Sequence, residues 1–130
     1  MPITYSAKIQ HVDEDVEGVV LLSINGIDLL CFGYGSLPYG AKEGDIFQVQ
    51  LTPMSFNDYL VKELKENTPP SIARVGDTLV YIVSGILRKN SLEACGIVFE
   101  DDVLLEEFGF LEGKIISWEI DRIDVEFLDQ

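Results

Sequence analysis

Two apolar runs, Val19-Val20-Leu21-Leu22-Ser23-Ile24 and Ile27-Asp28-Leu29-Leu30-Cys31-Phe32, flank the dipeptide Asn25-Gly26. Asn-Gly supplies the two positive φ angles of a type I′ turn, whose twist matches that of the strands it joins. The register follows from the turn. Ile24 opposes Ile27, Leu22 opposes Leu29 and Val20 opposes Cys31 on one wholly apolar face, while Ser23 and Asp28 share the other. A hairpin with one buried face is not stable alone and needs further strands to cover it.

The rest of the chain supplies them as short β-type runs punctuated by Gly, Asp and Asn. Residues 3–12 alternate loosely (Ile3, Tyr5, Ala7, Ile9) before the acidic turn Asp13-Glu14-Asp15. Gly44-Asp45 opens Ile46–Leu51, with Gln48 and Gln50 on the wet side. Gly76-Asp77 opens a run from Leu79 to about Leu87 that is apolar on both faces, as a central strand should be. Lys89-Asn90-Ser91 turns it into a strand over Leu92–Phe99. In Lys114–Leu128 the parity changes: Ile116, Trp118 and Ile120 share one side, Ile123, Val125 and Phe127 the other. A β-bulge at Asp121-Arg122, or a bend carrying the strand from sheet to sheet, restores a continuous inner face.

One segment reads as helix. Over residues 55–66, Ser55 and Asp58 suit a capping box, Met54 and Tyr59 a hydrophobic staple, and Phe56, Leu60 and Leu64 one apolar stripe. Pro69-Pro70 ends the run. Residues 101–108 fit either a short helix, with Leu104 and Phe108 inward and Gly109 after it, or a strand. The fold class is therefore all-β, mainly β with one helix. The expected architecture is a small Greek-key barrel that resembles a partly open OB-fold with added strands.

The 130 residues suit one β-barrel-like domain over 1–130. A chain of that length buries roughly two-thirds of its unfolded surface, and at 47% hydrophobic residues it needs no staples. Cys31 and Cys95 sit in apolar runs without a CxxC spacing, so both are expected as buried, reduced thiols acting as small hydrophobes. No charged-then-apolar leader opens the sequence, and no apolar run approaches the roughly 18 residues of a membrane span. A reducing cytoplasm is the expected compartment.

Charge excludes more than any motif does. The net charge is −14, and residues 100–130 hold eleven acids against two bases. Such a field repels nucleic acid and anionic lipid and leaves no counterion release to drive phosphate binding. Single-strand binding needs a basic groove with aromatic platforms. Phe47, Tyr81, Phe99 and Trp118 offer the platforms, but the cations are missing. Nucleic-acid and membrane partners are accordingly not expected, whereas a basic protein would be steered toward the C-terminal third.

No catalytic or metal constellation stands out. A histidine-based catalyst would have to use His11, the only histidine, which lies at a strand end beside an acidic turn, where a surface role is the ordinary one. Asp13-x-Asp15-x-Glu17-Gly18 copies half a calcium loop, but its twelfth position is Ile24 where a bidentate Glu is required. The Gly-rich stretch 33–40 lacks the Lys-Ser/Thr of a phosphate-binding loop, leaving an irregular connection or a contact loop presenting Tyr34 and Tyr39. Glu100, Asp101, Asp102, Glu106 and Glu107 are adjacent acids, not the opposed pair of a glycosidase, and suit a solvated face or a docking surface.

These features point to a non-enzymatic, acidic protein-interaction domain that binds a basic partner through Glu100, Asp101, Asp102, Glu106 and Glu107, with Tyr34 and Tyr39 as further contacts, and that uses no cofactor and no metal. In charge and size it resembles immunity proteins, which neutralise basic nuclease toxins. A barrel binding a small ligand or sugar near Tyr34 and Tyr39 is the second reading, and a structural or homo-oligomeric subunit with an exposed sheet edge the third.

Overall fold

The computed structural model describes residues 3–33 and 37–128. In chain order its strands are β1 (Tyr5–Val12), β2 (Val19–Ile24), β3 (Ile27–Phe32), β4 (Ile46–Met54), β5 (Leu60–Glu63), β6 (Ser71–Arg74), β7 (Tyr81–Arg88), β8 (Ser91–Ala94), β9 (Ile97–Glu100), β10 (Ile115–Ile120) and β11 (Arg122–Phe127). Helix α1 (Asp102–Phe108) and a 3-10 turn (Gly109–Leu111) lie between β9 and β10. The chain divides into two compact units, residues 1–52 with 123–130, and residues 53–122.

The first unit is a closed five-stranded barrel in the order β1-β2-β3-β11-β4. With β11 counted as the fifth barrel strand, β1 pairs β4 to close the ring, and β3 meets β11 in parallel. This is the OB-like arrangement, with the second unit occupying the chain between the fourth and fifth strands. The Asn25-Gly26 hairpin has the register derived from its turn, with Leu22 opposite Leu29 and Val20 opposite Cys31. Asn25 and Gly26 take φ of 53° and 79°, as a type I′ turn demands. Ile9, Leu22, Ile24, Leu29 and Val49 are fully buried in this core, and the Phe47 and Phe127 rings meet edge to face at 5.7 Å.

The second unit is a sheet in the order β5-β10-β7-β8-β9, with β6 also on β7. β7 is the central strand its two apolar faces imply. One edge pairs β10 over Tyr81–Ile86, while the other pairs β6 over Tyr81–Ser84 and β8 over Ile86–Arg88. Gly85 sits at that handover, and a Cβ there would be driven into the carbonyl oxygen of Glu93. Trp118, Ile116, Ile120, Val83, Leu87, Leu92 and Phe99 fill the inner face.

The parity change in the last strand is a change of sheet. β10 belongs to the second unit's sheet and β11 to the barrel, and Asp121 forms the bend. Its backbone N–H donates to Met54 O at 2.9 Å and its Oδ2 accepts from Phe56 N–H at 2.7 Å.

Three expectations are corrected. Residues 55–66 form no helix: β5 pairs β10, with Val61 opposite Trp118 and Leu60 opposite Glu119. The stripe Phe56/Leu60/Leu64 has no core to face, since Phe56 and Leu60 are more than half exposed. Tyr59 stacks on Trp118 at 6.1 Å instead of stapling to Met54, and long-range pairing overrides the local helix signal. The α-helix among the described residues is instead α1, at the ambiguous segment. The single strand expected over Leu92–Phe99 is the hairpin β8–β9, whose turn, Cys95-Gly96, has φ of 55° and 81°. Cys95 is therefore exposed, while Cys31 is buried as expected.

Candidate functional site

The acidic segment is built around one carboxylate. Asp101 is the N-cap of α1: it holds extended φ/ψ, and its Oδ1 accepts from Val103 N–H at 3.0 Å, filling an otherwise orphaned donor. Its Oδ2 accepts the Tyr59 hydroxyl proton at 2.6 Å. Burial, with Asp101 accepting that proton and the Asp101 and Glu107 charges nearby, pushes the Tyr59 phenol up to about 12. The start of the helix is thus tied, through Tyr59, to the ring of Trp118 on the inner face of the sheet.

Successive residues of an α-helix step by about 100°, so burial of Leu104 orients the rest. Asp102 and Glu106, four apart, share the outward crest, Leu105 and Phe108 form one shoulder, and Val103 and Glu107 form the other. Leu105 is 50% exposed and Phe110 77%, and the Phe108 and Phe110 rings lie 6.5 Å apart. The outcome is an acidic crest beside an apolar shoulder. Asp102 Oδ1 is approached by Asn90 Nδ2 at 3.2 Å, and Glu112 is spent on Lys89 N–H at 2.6 Å.

The crest runs against the helix's own electrostatics. Asp102 lies in the first turn, where a negative charge is favourable, but no basic residue occupies the last turn. Glu106 and Glu107 stand there instead, and Asp102 and Glu106 form a like-charge i,i+4 pair. Each of these placements costs a few tenths of a kcal/mol.

Of the seven residues singled out from sequence, the structure brings together Asp102 and Glu106 on the crest, with Glu107 on its flank. Asp101 is committed to capping. Glu100 lies at the end of β9, opposite Ser91, with its side chain on the outer face of the sheet rather than on the helix. Tyr39 is fully exposed, and Tyr34 lies outside the described residues. Leu105 and Phe110 were missed. Their signal was the run Leu104-Leu105 and Phe108-Gly109-Phe110-Leu111, too apolar for a two-turn helix to bury entirely.

Other candidates are resolved locally. His11 is exposed, with Nδ1 3.2 Å from Glu43 Oε1. Asp13 turns its carboxylate onto its own loop, accepting from Asp15 N–H at 2.8 Å and Val16 N–H at 2.9 Å, which holds it below the usual carboxylate range. Among the described residues no group of three His, Cys, Asp or Glu is placed to hold a metal ion. A cavity of about 450 Å³ in the first unit is lined by Val12, Asp13, Glu17, Gly18 and, on either side of residues 34–36, Gly33 and Leu37. No helix among the described residues is long and apolar enough to cross a membrane.

A protein-family model described as "Uncharacterised conserved protein UCP019853" matches residues 3–128. The chain belongs to that family. No curated protein and no solved structure matches it.

Proposed function

We propose that this protein is a non-enzymatic interaction module that docks a basic protein onto α1 and the turn after it. The observation that carries the reading is the pairing of exposed Leu105 and Phe110 with the crest Asp102/Glu106 and with Glu107. Large apolar side chains held in water beside charge are the composition of an interface centre and its rim. Acids that only aid solubility have no reason to stand where they oppose the helix dipole. The partner is accordingly a protein with Lys or Arg around an apolar contact, and long-range attraction would set its on-rate. An inhibitor of a basic protein fits this chemistry, acting in the cytoplasm as the cysteine usage suggests.

The test is capture from a lysate of the source organism by the immobilised protein at low and at high salt. One basic protein retained in stoichiometric amount and released by salt supports the reading. An eluate with no such protein contradicts it. The small-ligand reading keeps one supporting observation, the cavity beside Gly33 and Leu37.

A further inference from the structure

Within the second unit, α1 and the turn after it stand like an arch on the β7–β8 turn. One foot is Asp102 against Asn90, at 3.2 Å, and the other is Glu112, whose carboxylate accepts Lys89 N–H at 2.6 Å. Glu106 lies about 6 Å further along the helix axis than Asp102, so it and Glu107 stand away from these feet. The second foot is basic. Leu87 N–H donates to Lys114 O at 3.0 Å and Gly113 N–H to Leu87 O at 2.8 Å, which brings Lys114 beside Arg88. The Arg88 guanidinium lies over Gly113, where an added Cβ would meet it at 3.7 Å. Residues 87–89 and 112–114 thus bring together three cations and one acid. Exposed Phe110 comes between the two acids of the last helical turn and this basic foot.

The order acid, apolar, base decides what fits. Arg88, Lys89 and Lys114 are a third of the chain's nine bases, yet none forms a salt bridge among the described residues of a chain with 23 acids. A uniformly basic partner would match the acids and be repelled by Arg88 and Lys114. A surface with an apolar middle and opposite charges at its two ends is complementary to itself. A two-fold axis near Phe110 lays the acidic end of each copy on the basic end of the other and buries the apolar middle of both.

We propose that the α1 surface pairs with a second copy of this chain in a two-fold dimer, Glu106 and Glu107 of each copy facing Arg88 and Lys114 of the other around Phe110 and Leu105. This rests on α1 being a docking surface and names one partner that fits it. The net charge of −14 opposes association from a distance. At about 0.15 M salt the Debye length is about 8 Å, so the contact pairs persist while most of the remaining charge is screened. Few large apolar groups meet, which places the dimer in the small, transient class, with a Kd of about 100 µM. A basic protein docking on α1 competes with the second copy for the same side chains.

Sedimentation equilibrium of the full chain at that salt, from about 10 µM to about 1 mM, tests it. Wild type should pass from monomer to dimer across this range and go no further, because a two-fold contact closes on itself. Phe110→Ser should stay monomeric. Glu106→Lys/Glu107→Lys should stay monomeric alone, and so should Arg88→Glu/Lys114→Glu. An equimolar mixture of these two charge variants should dimerise, since each reversed end then meets an end of opposite sign. Wild type that remains monomeric at the highest concentration overturns the proposal, as does a dimer that Phe110→Ser leaves intact or a mixture that stays monomeric while wild type pairs. The wild-type series needs no variant, so it stands whether or not a variant folds. Only pure protein is used, so a missing dimer removes this proposal and leaves capture from lysate to decide on a basic protein.

Discussion

Replacing Glu106 and Glu107 by Lys should stabilise the protein while weakening its association with a basic partner. The stabilising side follows from α1 alone. Glu106→Lys turns the i,i+4 repulsion with Asp102 into an attraction, a swing of about 0.6 kcal/mol. Both substitutions put cations in a last turn that has none, about 0.3–0.5 kcal/mol each at an exposed site. The total is about 1–1.5 kcal/mol. Unfolding entropy near 2.1 cal/mol/K per residue makes each kcal/mol worth about 4 °C for a chain this long, so Tm should rise by roughly 4–5 °C. Calorimetry at low ionic strength reads this directly, and added salt should shrink the gain. A Tm that stays the same or falls would mean that Glu106 and Glu107 make stabilising contacts. The inference that they are held against the helix's own stability would then fail.

Three further predictions rest on single contacts. Gly85→Ala should destabilise by about 2–4 kcal/mol in urea denaturation, because β8 must shift to clear the new methyl from the Glu93 carbonyl; a change under 1 kcal/mol would refute the close approach. The raised Tyr59 phenol should make stability fall as pH climbs from 10 toward 12, since the unfolded chain gives up that proton first; Tyr59→Phe should flatten this window, and an unchanged slope would show that the Asp101 contact does not hold the proton. A disulfide reagent should titrate Cys95 rapidly in the folded protein and Cys31 only on unfolding, since burial pushes the Cys31 thiol up; two fast thiols would contradict the barrel core.

Legibility tracked how locally each feature is determined. Asn25-Gly26 announced its hairpin because Asn and Gly are the residues that accept positive φ, whereas Cys95-Gly96 makes a turn with similar angles at Gly96 but seats a Cys at 55°, which few non-glycine residues adopt. Parity alone marked the irregularity at Asp121-Arg122 but left a bulge and a change of sheet open, and only the strand pairing chooses the latter. Residues 55–66 were misread because Phe56, Leu60 and Leu64 also satisfy part of a period-2 pattern, and only pairing with β10 chooses between them. The division into two units leaves no compositional mark, since the chain crosses it at the ends of β4 and β11, not in linkers. Of the site, the acids were visible, but which of them cap, and that Leu105 and Phe110 stay in water, depends on which side of α1 Leu104 buries.

The claim that α1 is a docking surface is tested most directly by the association rate of the captured basic partner, measured by stopped flow at low salt against three proteins. Relative to wild type, Glu106→Lys/Glu107→Lys should slow association at least about tenfold, and Phe110→Ser should leave the on-rate nearly intact and speed dissociation. On- and off-rates unchanged in both variants would show that the partner binds elsewhere.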